Sequence, residues 1–142
     1  MAQQRERPLG RELDALARAI YGRFVRLPTS PDSEERRGLV EHLVRYIHRH
    51  LEELLRVSDL ARYVNCSEGH LHRAFQAATG LSPARYVEQA RVRHALYLLA
   101  QEILPVAEVA ARVGYADPLH FSRVVRRLTG VSPKAIRNSR SD

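Results

Sequence analysis

Two arginines, Arg73 and Arg123, lie fifty positions apart in segments that repeat one pattern of apolar and polar residues. In each segment the apolar residues recur at three- and four-residue spacing, so the polar residues between them face outward from a helix. The outward residues are Glu68, His72, Arg73 and Gln76 in the first segment and Ser122, Arg123, Arg126 and Arg127 in the second. A planar guanidinium pairs with a guanine edge or a phosphate, and a neutral imidazole can pair with either. The matched arginines favour contact with nucleic acid, whereas for His72 a solvated surface position stays equally open.

The net charge of +7 is concentrated toward the C-terminus. Residues 67–142 hold 11 basic and 6 acidic residues, whereas residues 1–66 hold 12 basic and 10 acidic ones. Such a surplus attracts polyanions, because neutralised phosphates release counterions. Arg126, Arg127 and Lys134 are candidates for phosphate contact, with simple solvation as the alternative. Every basic residue except Lys134 is arginine, which suits phosphates and guanine edges but would also follow from a GC-rich genome.

The remaining chemistry-bearing residues do not form a catalytic or metal-binding set. The sequence has no paired carboxylates, no nucleophile with a partner base and no phosphate-cradling loop. The pairs His48-x-His50 and His70-x-His72 would point apart on a helix. The single Cys66 can form neither an internal disulfide nor a cysteine-type zinc site. We therefore expect no enzyme activity, no metal and no cofactor. Since there is no apolar run of about eighteen residues and no signal peptide, we expect a cytoplasmic protein.

Helices must position these side chains, and helical periodicity covers most of the chain. The predicted helices span about 9–27, 34–53, 58–64, 67–79, 83–101, 107–113 and 118–129, with a final turn or two from Ser132-Pro133. Ser58 and Ser67 are the predicted N-caps of the two helices that follow them. Gly80 suits the left-handed position after a helix, and Ser82-Pro83 is typical of a helix start. The sequence therefore predicts an all-α fold.

An offset of fifty residues aligns the chain with itself. The segment Thr79-Gly80-Leu81-Ser82-Pro83 then matches Thr129-Gly130-Val131-Ser132-Pro133. Leu60-Ala61 matches Val109-Ala110 once one residue is inserted in the second turn. Each copy consists of a short helix, a turn and a longer helix, which is the pattern of a helix-turn-helix whose second helix fits the DNA major groove. The sequence therefore predicts two helix-turn-helix units, at about 54–80 and 106–130.

A long predicted helix at about 83–101 joins the two units. At 1.5 Å per residue it would be a spacer of roughly 25–28 Å. With the width of each unit added, the two second helices would lie about one DNA turn apart. A single chain would then read two successive major grooves.

From Leu54 to Arg137 the chain resembles the AraC/XylS family of bacterial transcription regulators. The motifs that carry the resemblance are Leu60-Ala61, Ser67-x-x-His70-Leu71-x-Arg73-x-Phe75, Thr79-Gly80-x-Ser82-Pro83, Arg91-Val92-x-x-Ala95-x-x-Leu98-Leu99, Val109-Ala110-x-x-Val113-Gly114-Tyr115-x-Asp117, Phe121-x-Arg123 and Gly130-Val131-Ser132-Pro133. In this order and spacing they are specific to the family, although each alone would be a weak signal. The resemblance covers about 60% of the chain.

The resemblance implies a seven-helix DNA-binding domain that acts at promoters, usually as an activator working with RNA polymerase. It implies base contacts from Gly69, His72, Arg73 and Gln76 in the first recognition helix and from Leu119, His120, Ser122 and Arg123 in the second. Two residues depart from the family pattern. Gly69 stands where some relatives have a large side chain, which removes a contact and weakens the helix by roughly 1 kcal/mol. Val125 replaces a larger aromatic residue, so we expect looser packing around it.

The predicted domain occupies residues 34–142, and residues 1–33 form an N-terminal helix and linker. Residues 1–33 are too short for the effector-sensing domain of a typical family member. The chain is therefore either similar to small stand-alone members of the MarA and SoxS type or a fragment. The apolar face of helix 9–27 would dock on its own domain, pair with a second copy or contact a missing effector domain. We expect a bacterial, nucleoid-associated regulator. The alternative is a helical module that binds a protein or an anionic lipid without reading DNA sequence.

Overall fold

Every element of regular secondary structure in residues 31–101 and 103–141, which the computed structural model describes, is an α-helix. In chain order the helices are α1 Pro31–Arg49, α2 Val57–Tyr63, α3 Glu68–Thr79, α4 Pro83–Gln101, α5 Val106–Arg112, α6 Pro118–Thr129 and α7 Pro133–Ser141. The predicted all-α fold is confirmed. The helix predicted at about 9–27 lies outside the described residues. Among the helices in the described ranges, none combines the length and apolar character needed to cross a membrane.

The first of two compact units, residues 31–91, is built on one face of α1. Val40, Leu43 and Ile47 recur at three- and four-residue spacing and are fully buried. They share a core with α2, α3 and the start of α4 through Leu60, Ala61, Leu71, Ala74, Phe75, Ala78, Val87 and Ala90. Full burial of each large apolar side chain contributes roughly 1.5–3 kcal/mol. This core therefore holds α3 firmly by its apolar face and leaves its polar face outward.

The second unit, residues 92–101 and 103–141, has a core of its own. Its buried residues come from the second half of α4 and from α5, α6 and α7, and they are Val92, Ala95, Leu96, Leu98, Leu99, Val109, Ala110, Val113, Tyr115, Phe121, Val124, Val125 and Ile136. Val125 is fully buried at the position that repeats Phe75. The ring of Tyr115 lies 5.5 Å from that of Phe121, so the turn before α6 supplies aromatic packing in this unit. The looser packing expected around Val125 stays a prediction.

The start of α2 differs from the prediction. Ser58 was the expected N-cap, and this prediction is wrong because the helix begins at Val57. The N–H of Leu60 donates to the backbone oxygen of Arg56 over 3.0 Å, which makes Arg56 the residue that precedes the helix. Val57 packs half-buried against the core of the first unit. The helix therefore begins without a side-chain cap, and its first residue packs against the core.

Two other helices also have bounds that differ from the predicted ones. α1 covers Pro31–Arg49, whereas the pattern predicts 34–53. α7 is nine residues long, Pro133–Ser141, whereas a turn or two is expected. In α7 the buried Ile136 lies near the start, and the misplaced end carries few buried residues, whereas α1 ends at Arg49 although the buried Leu51 continues its apolar pattern.

Candidate nucleic-acid interface

In each unit a short helix is joined to a longer one by a tight turn that has the same backbone hydrogen bond. α2 and α5 are both seven residues long, and α3 and α6 are both twelve. In the first turn the N–H of Cys66 donates to the oxygen of Ala61 over 3.0 Å, and in the second the N–H of Tyr115 donates to the oxygen of Ala110 over 2.8 Å. The two helix-turn-helix units of the predicted fold are therefore both present.

The longer helices begin with side-chain caps at equivalent positions. Ser67 Oγ accepts the N–H of His70 over 3.1 Å, as its position predicts. In α6 the cap is Asp117, whose Oδ1 accepts the N–H of Leu119 over 3.0 Å. Sequence reasoning did not assign this cap, although an aspartate directly before a proline at the first helical position is a recognisable signal. Each cap fixes the first turn of the helix that carries the candidate base-reading residues.

The same two helices also end alike. Gly80 and Gly130 follow them in the left-handed conformation, with φ of 74° and 79°. The hydroxyl of Thr79 donates to the oxygen of Phe75 and that of Thr129 to the oxygen of Val125, both over 2.7 Å. Each threonine Oγ1 also accepts the N–H two residues later, over 3.1 Å. The predicted role of Gly80 is confirmed, and the threonine–glycine pair closes both helices in one geometry.

The outer face of α3 carries the predicted site residues of the first unit. Gly69, His72, Arg73 and Gln76 are all exposed. Their spacing of three, four and seven residues places them on one side of the helix. The opposite side, which includes Leu71 and Phe75, is fully buried. The structure therefore brings the four residues together on a solvent-facing surface.

The outer face of α6 carries the predicted residues of the second unit. Leu119, His120 and Arg123 are exposed, whereas Ser122 is half-buried at the edge of the face. The ring of His120 lies 5.5 Å from that of Tyr115 in an edge contact. His120 is therefore placed by a contact with its own unit, and Leu119 and Arg123 are exposed beside it.

The guanidinium of Arg73 lies next to Gly69. A Cβ atom at position 69 would lie 3.4 Å from Arg73 Nη1. Side chains on a helix lean toward its N-terminus, and here the arginine reaches back over the first turn. The guanidinium of Arg73 thus lies beside Gly69, at a distance that would also accommodate a Cβ atom.

The second unit is the more basic of the two at this surface. The sequence of α6 holds three arginines and no acidic residue, and Arg126 and Arg127 are exposed in its last turn. Lys134 is exposed at the start of α7. By contrast, α3 carries Arg73 together with Glu68 in its first turn. α6 is therefore the stronger attractor for a polyanion.

Several arginines elsewhere form ion pairs with acidic neighbours on their own helices. The pairs are Arg37–Glu41 at 3.0 Å, Arg85–Glu88 at 3.2 Å and Arg112–Glu108 at 3.4 Å. Such exposed pairs contribute little to stability. They place an acidic group beside an arginine on α1, α4 and α5, whereas the sequence of α6 holds no acidic residue.

Cys66 lies in the turn of the first unit and is half-buried. Burial raises the pKa of its thiol, and a hydrogen bond with the backbone of Leu71 offsets this only in part. A thiol with a raised pKa is less reactive, because the thiolate is the nucleophile. This environment agrees with a packing role for Cys66 in the turn.

Comparison with known proteins identifies the fold. The sequence model of a family described as a helix-turn-helix domain matches residues 60–139. A transcriptional regulator from Chromobacterium violaceum, described as containing an AraC-type DNA-binding domain, is 26% identical, with a TM-score of 0.69 over 75% of this chain and 95% of that chain. The DNA-binding domain of AdpA, solved in complex with a target DNA, is 34% identical, with a TM-score of 0.68 over 71% of this chain and 90% of that chain. The chain belongs to the AraC/XylS family of transcription regulators.

The curated relatives of this AraC-type domain are longer proteins. The transcriptional activator RhaR from Enterobacter sp. is 32% identical over 111 residues, which are 78% of this chain and 39% of that protein. The chain spans less than half the length of three curated relatives that it matches. Within the AraC-type domain, α3 and α6 are the second helices of the two helix-turn-helix units, and we call them the recognition helices.

Proposed function

We propose that this AraC-type domain binds a specific promoter sequence by inserting α3 and α6 into the DNA major groove, and that it activates transcription there. The observation that carries the proposal is the matched pair of recognition helices, equal in length, capped and closed alike, with an exposed arginine at the same position in each. The DNA-bound AdpA domain, which shares the fold, supports the same mode of binding.

Arg73 and Arg123 are the principal base-reading residues in this proposal. A guanidinium fork bonds both acceptors on the major-groove edge of guanine. Both arginines lie in the first half of their helices, which is the part that meets base edges in a helix-turn-helix complex. Gly69, His72 and Gln76 would complete the first reading surface, and Leu119, His120 and Ser122 the second.

Arg126, Arg127 and Lys134 would bind phosphates. The two arginines are in the last turn of α6 and the lysine is on the next helix, so they lie beyond the part of α6 that enters the groove. Contacts of this kind position a protein on the duplex without reading its sequence. The two recognition helices would occupy successive grooves, so that the site consists of two half-sites about ten base pairs apart.

The proposal extends to the partners of the whole protein. We expect the domain to contact RNA polymerase at the promoter and to act in the bacterial cytoplasm, at the nucleoid, without enzymatic activity. Residues 9–27, outside the described residues, would dock on their own domain, pair with a second copy or contact a further domain. The alternative of a helical module that binds proteins or lipids is an outcome that the following experiment distinguishes.

The test is selection of bound sequences from a random duplex library, in excess non-specific competitor, with the parent chain and two variants. Arg73→Ala and Arg123→Ala should each relax base preference in a different half of the site and weaken binding by roughly 1–3 kcal/mol. Arg45→Ala, which removes an equally charged and exposed residue from α1, is the matched control and should select the parental sequence.

Two outcomes would contradict the proposal. If the parent selects no sequence, the domain does not read DNA and the interaction-module alternative gains support. If both recognition-helix variants select the parental sequence with parental affinity, the assigned residue roles are wrong.

A further inference from the structure

An exposed leucine stands among the reading residues of α6. Leu119 is 67% exposed and lies one helical turn before Arg123, on the same face. Its backbone N–H is bound by the Asp117 cap, which fixes its place in the first turn. The side chain therefore projects from the reading surface at the end of the helix that meets base edges, without being buried in its own unit.

The repeat-equivalent position in α3 is Gly69, and the two positions differ in chemistry. In α3 the guanidinium of Arg73 reaches back over the space beside Gly69, as its 3.4 Å distance from a Cβ at that position indicates. In α6 the same space holds the aliphatic side chain of Leu119. The first helix thus presents only hydrogen-bonding groups in its first turn, whereas the second presents an apolar group beside its arginine.

The major groove offers one apolar feature to such a side chain. Guanine, cytosine and adenine present hydrogen-bond donors and acceptors there, and the C5-methyl group of thymine is the apolar exception. Placing a leucine against a donor or an acceptor would desolvate that group without a partner, which is unfavourable. Placing it against a methyl group buries apolar surface on both sides.

We propose that Leu119 reads the methyl group of a thymine in the half-site bound by α6, and that the half-site bound by α3 lacks this readout because its equivalent residue is Gly69. This inference rests on the proposed function. It makes the two half-sites chemically unequal, so that the chain binds its site in one direction.

The experiment replaces each thymine of the selected site, one at a time, by deoxyuridine, which removes only the methyl group. Burying one such group contributes enough for about a fourfold change in affinity. The parent chain should lose about fourfold at one thymine in the half-site that Arg123→Ala relaxes. In the Leu119→Ala variant, thymine and uracil at that position should bind equally.

Leu54→Ala is the matched control, because Leu54 is 71% exposed but lies outside the recognition helices. It should keep the parental difference between thymine and uracil. Since Leu119 and Leu54 are both exposed, both variants should fold, and circular dichroism checks this.

Two results would overturn the inference while leaving the proposed function in place. One is equal binding of thymine and uracil at every position by a parent chain that still selects a specific site. The other is a uracil penalty that persists undiminished in Leu119→Ala. A parent chain that selects no sequence would instead overturn both proposals.

Discussion

Replacing Arg126 and Arg127 together by glutamine removes two positive charges from the last turn of α6 and keeps polar side chains there. Both arginines are exposed, and the sequence of their helix contains no acidic residue. Leu119 and Arg123, which lie in the first half of α6, are unchanged. The double variant therefore separates phosphate contact from base reading.

The expected magnitude follows from counterion release. Each phosphate neutralised on duplex DNA contributes a slope of about −0.9 to the dependence of log affinity on log salt concentration. Loss of two contacts should make the slope shallower by about 1.8. Between 50 and 200 mM salt the parent chain should then lose about twelvefold more affinity than the variant.

Fluorescence anisotropy with the selected duplex and with a scrambled duplex, across a salt series, measures both slopes. The double variant should bind both duplexes more weakly at low salt and keep the parental ratio between them. Arg45→Gln with Arg49→Gln is the matched control, because it removes the same charge from exposed positions on α1. A double variant with the parental slope would refute the phosphate role, and a changed ratio between the duplexes would show that these arginines read bases.

Three further predictions concern stability and reactivity. Gly80→Ala should lower the free energy of unfolding by about 1–2 kcal/mol, because alanine is strained at a φ of 74°. Gly69→Ala should raise the free energy of unfolding by about 0.5–1 kcal/mol through helix propensity. Urea unfolding measures both changes, and changes of equal sign would contradict the assigned backbone roles. Asp117→Ala should lower the free energy of unfolding by about 1 kcal/mol, because the N–H of Leu119 loses its cap. Asp117→Asn should keep most of this stability, since asparagine also caps. An alanine variant as stable as the parent would refute the capping role. At neutral pH the thiol of Cys66 should react with a disulfide reagent more slowly in the native chain than in denaturant. The reason is that burial raises the pKa of the thiol and lowers the thiolate fraction. Equal reaction rates in the native and unfolded chains would contradict this prediction.

The sequence predicts those features of the fold that depend on local chemistry. The hydroxyl of Ser67 suits an N-cap, and the absence of a side chain at Gly80 suits a left-handed backbone. Both residues act as predicted. α2 begins at Val57 without a side-chain cap, so the local signal from Ser58 is misleading. Val57 packs half-buried against the core, and burial is a tertiary property that a local signal does not contain. Asp117 shows the reverse case, in which a local signal was present but not assigned.

The candidate interface was partly predictable for the same reason. Periodicity alone places Arg73 and Arg123 outward, since buried residues flank both at helical spacing. Periodicity does not give the direction of a long side chain. The position of the Arg73 guanidinium beside Gly69 and the edge contact of His120 with Tyr115 depend on three-dimensional neighbours. These two side-chain placements therefore become visible only with the coordinates, whereas the difference between Gly69 and Leu119 is already present in the sequence.

The common closure of α3 and α6 by threonine and glycine has a consequence for how binding specificity changes. Both helices are twelve residues long and end in the same hydrogen-bond geometry. Their exposed side chains therefore differ while their backbone geometry is the same. Substitution of an exposed residue on one helix leaves the backbone of that helix and the exposed residues of the other helix unchanged. Evolution, or a protein engineer, can therefore retune recognition of one half of an operator while the other half keeps the protein anchored in place.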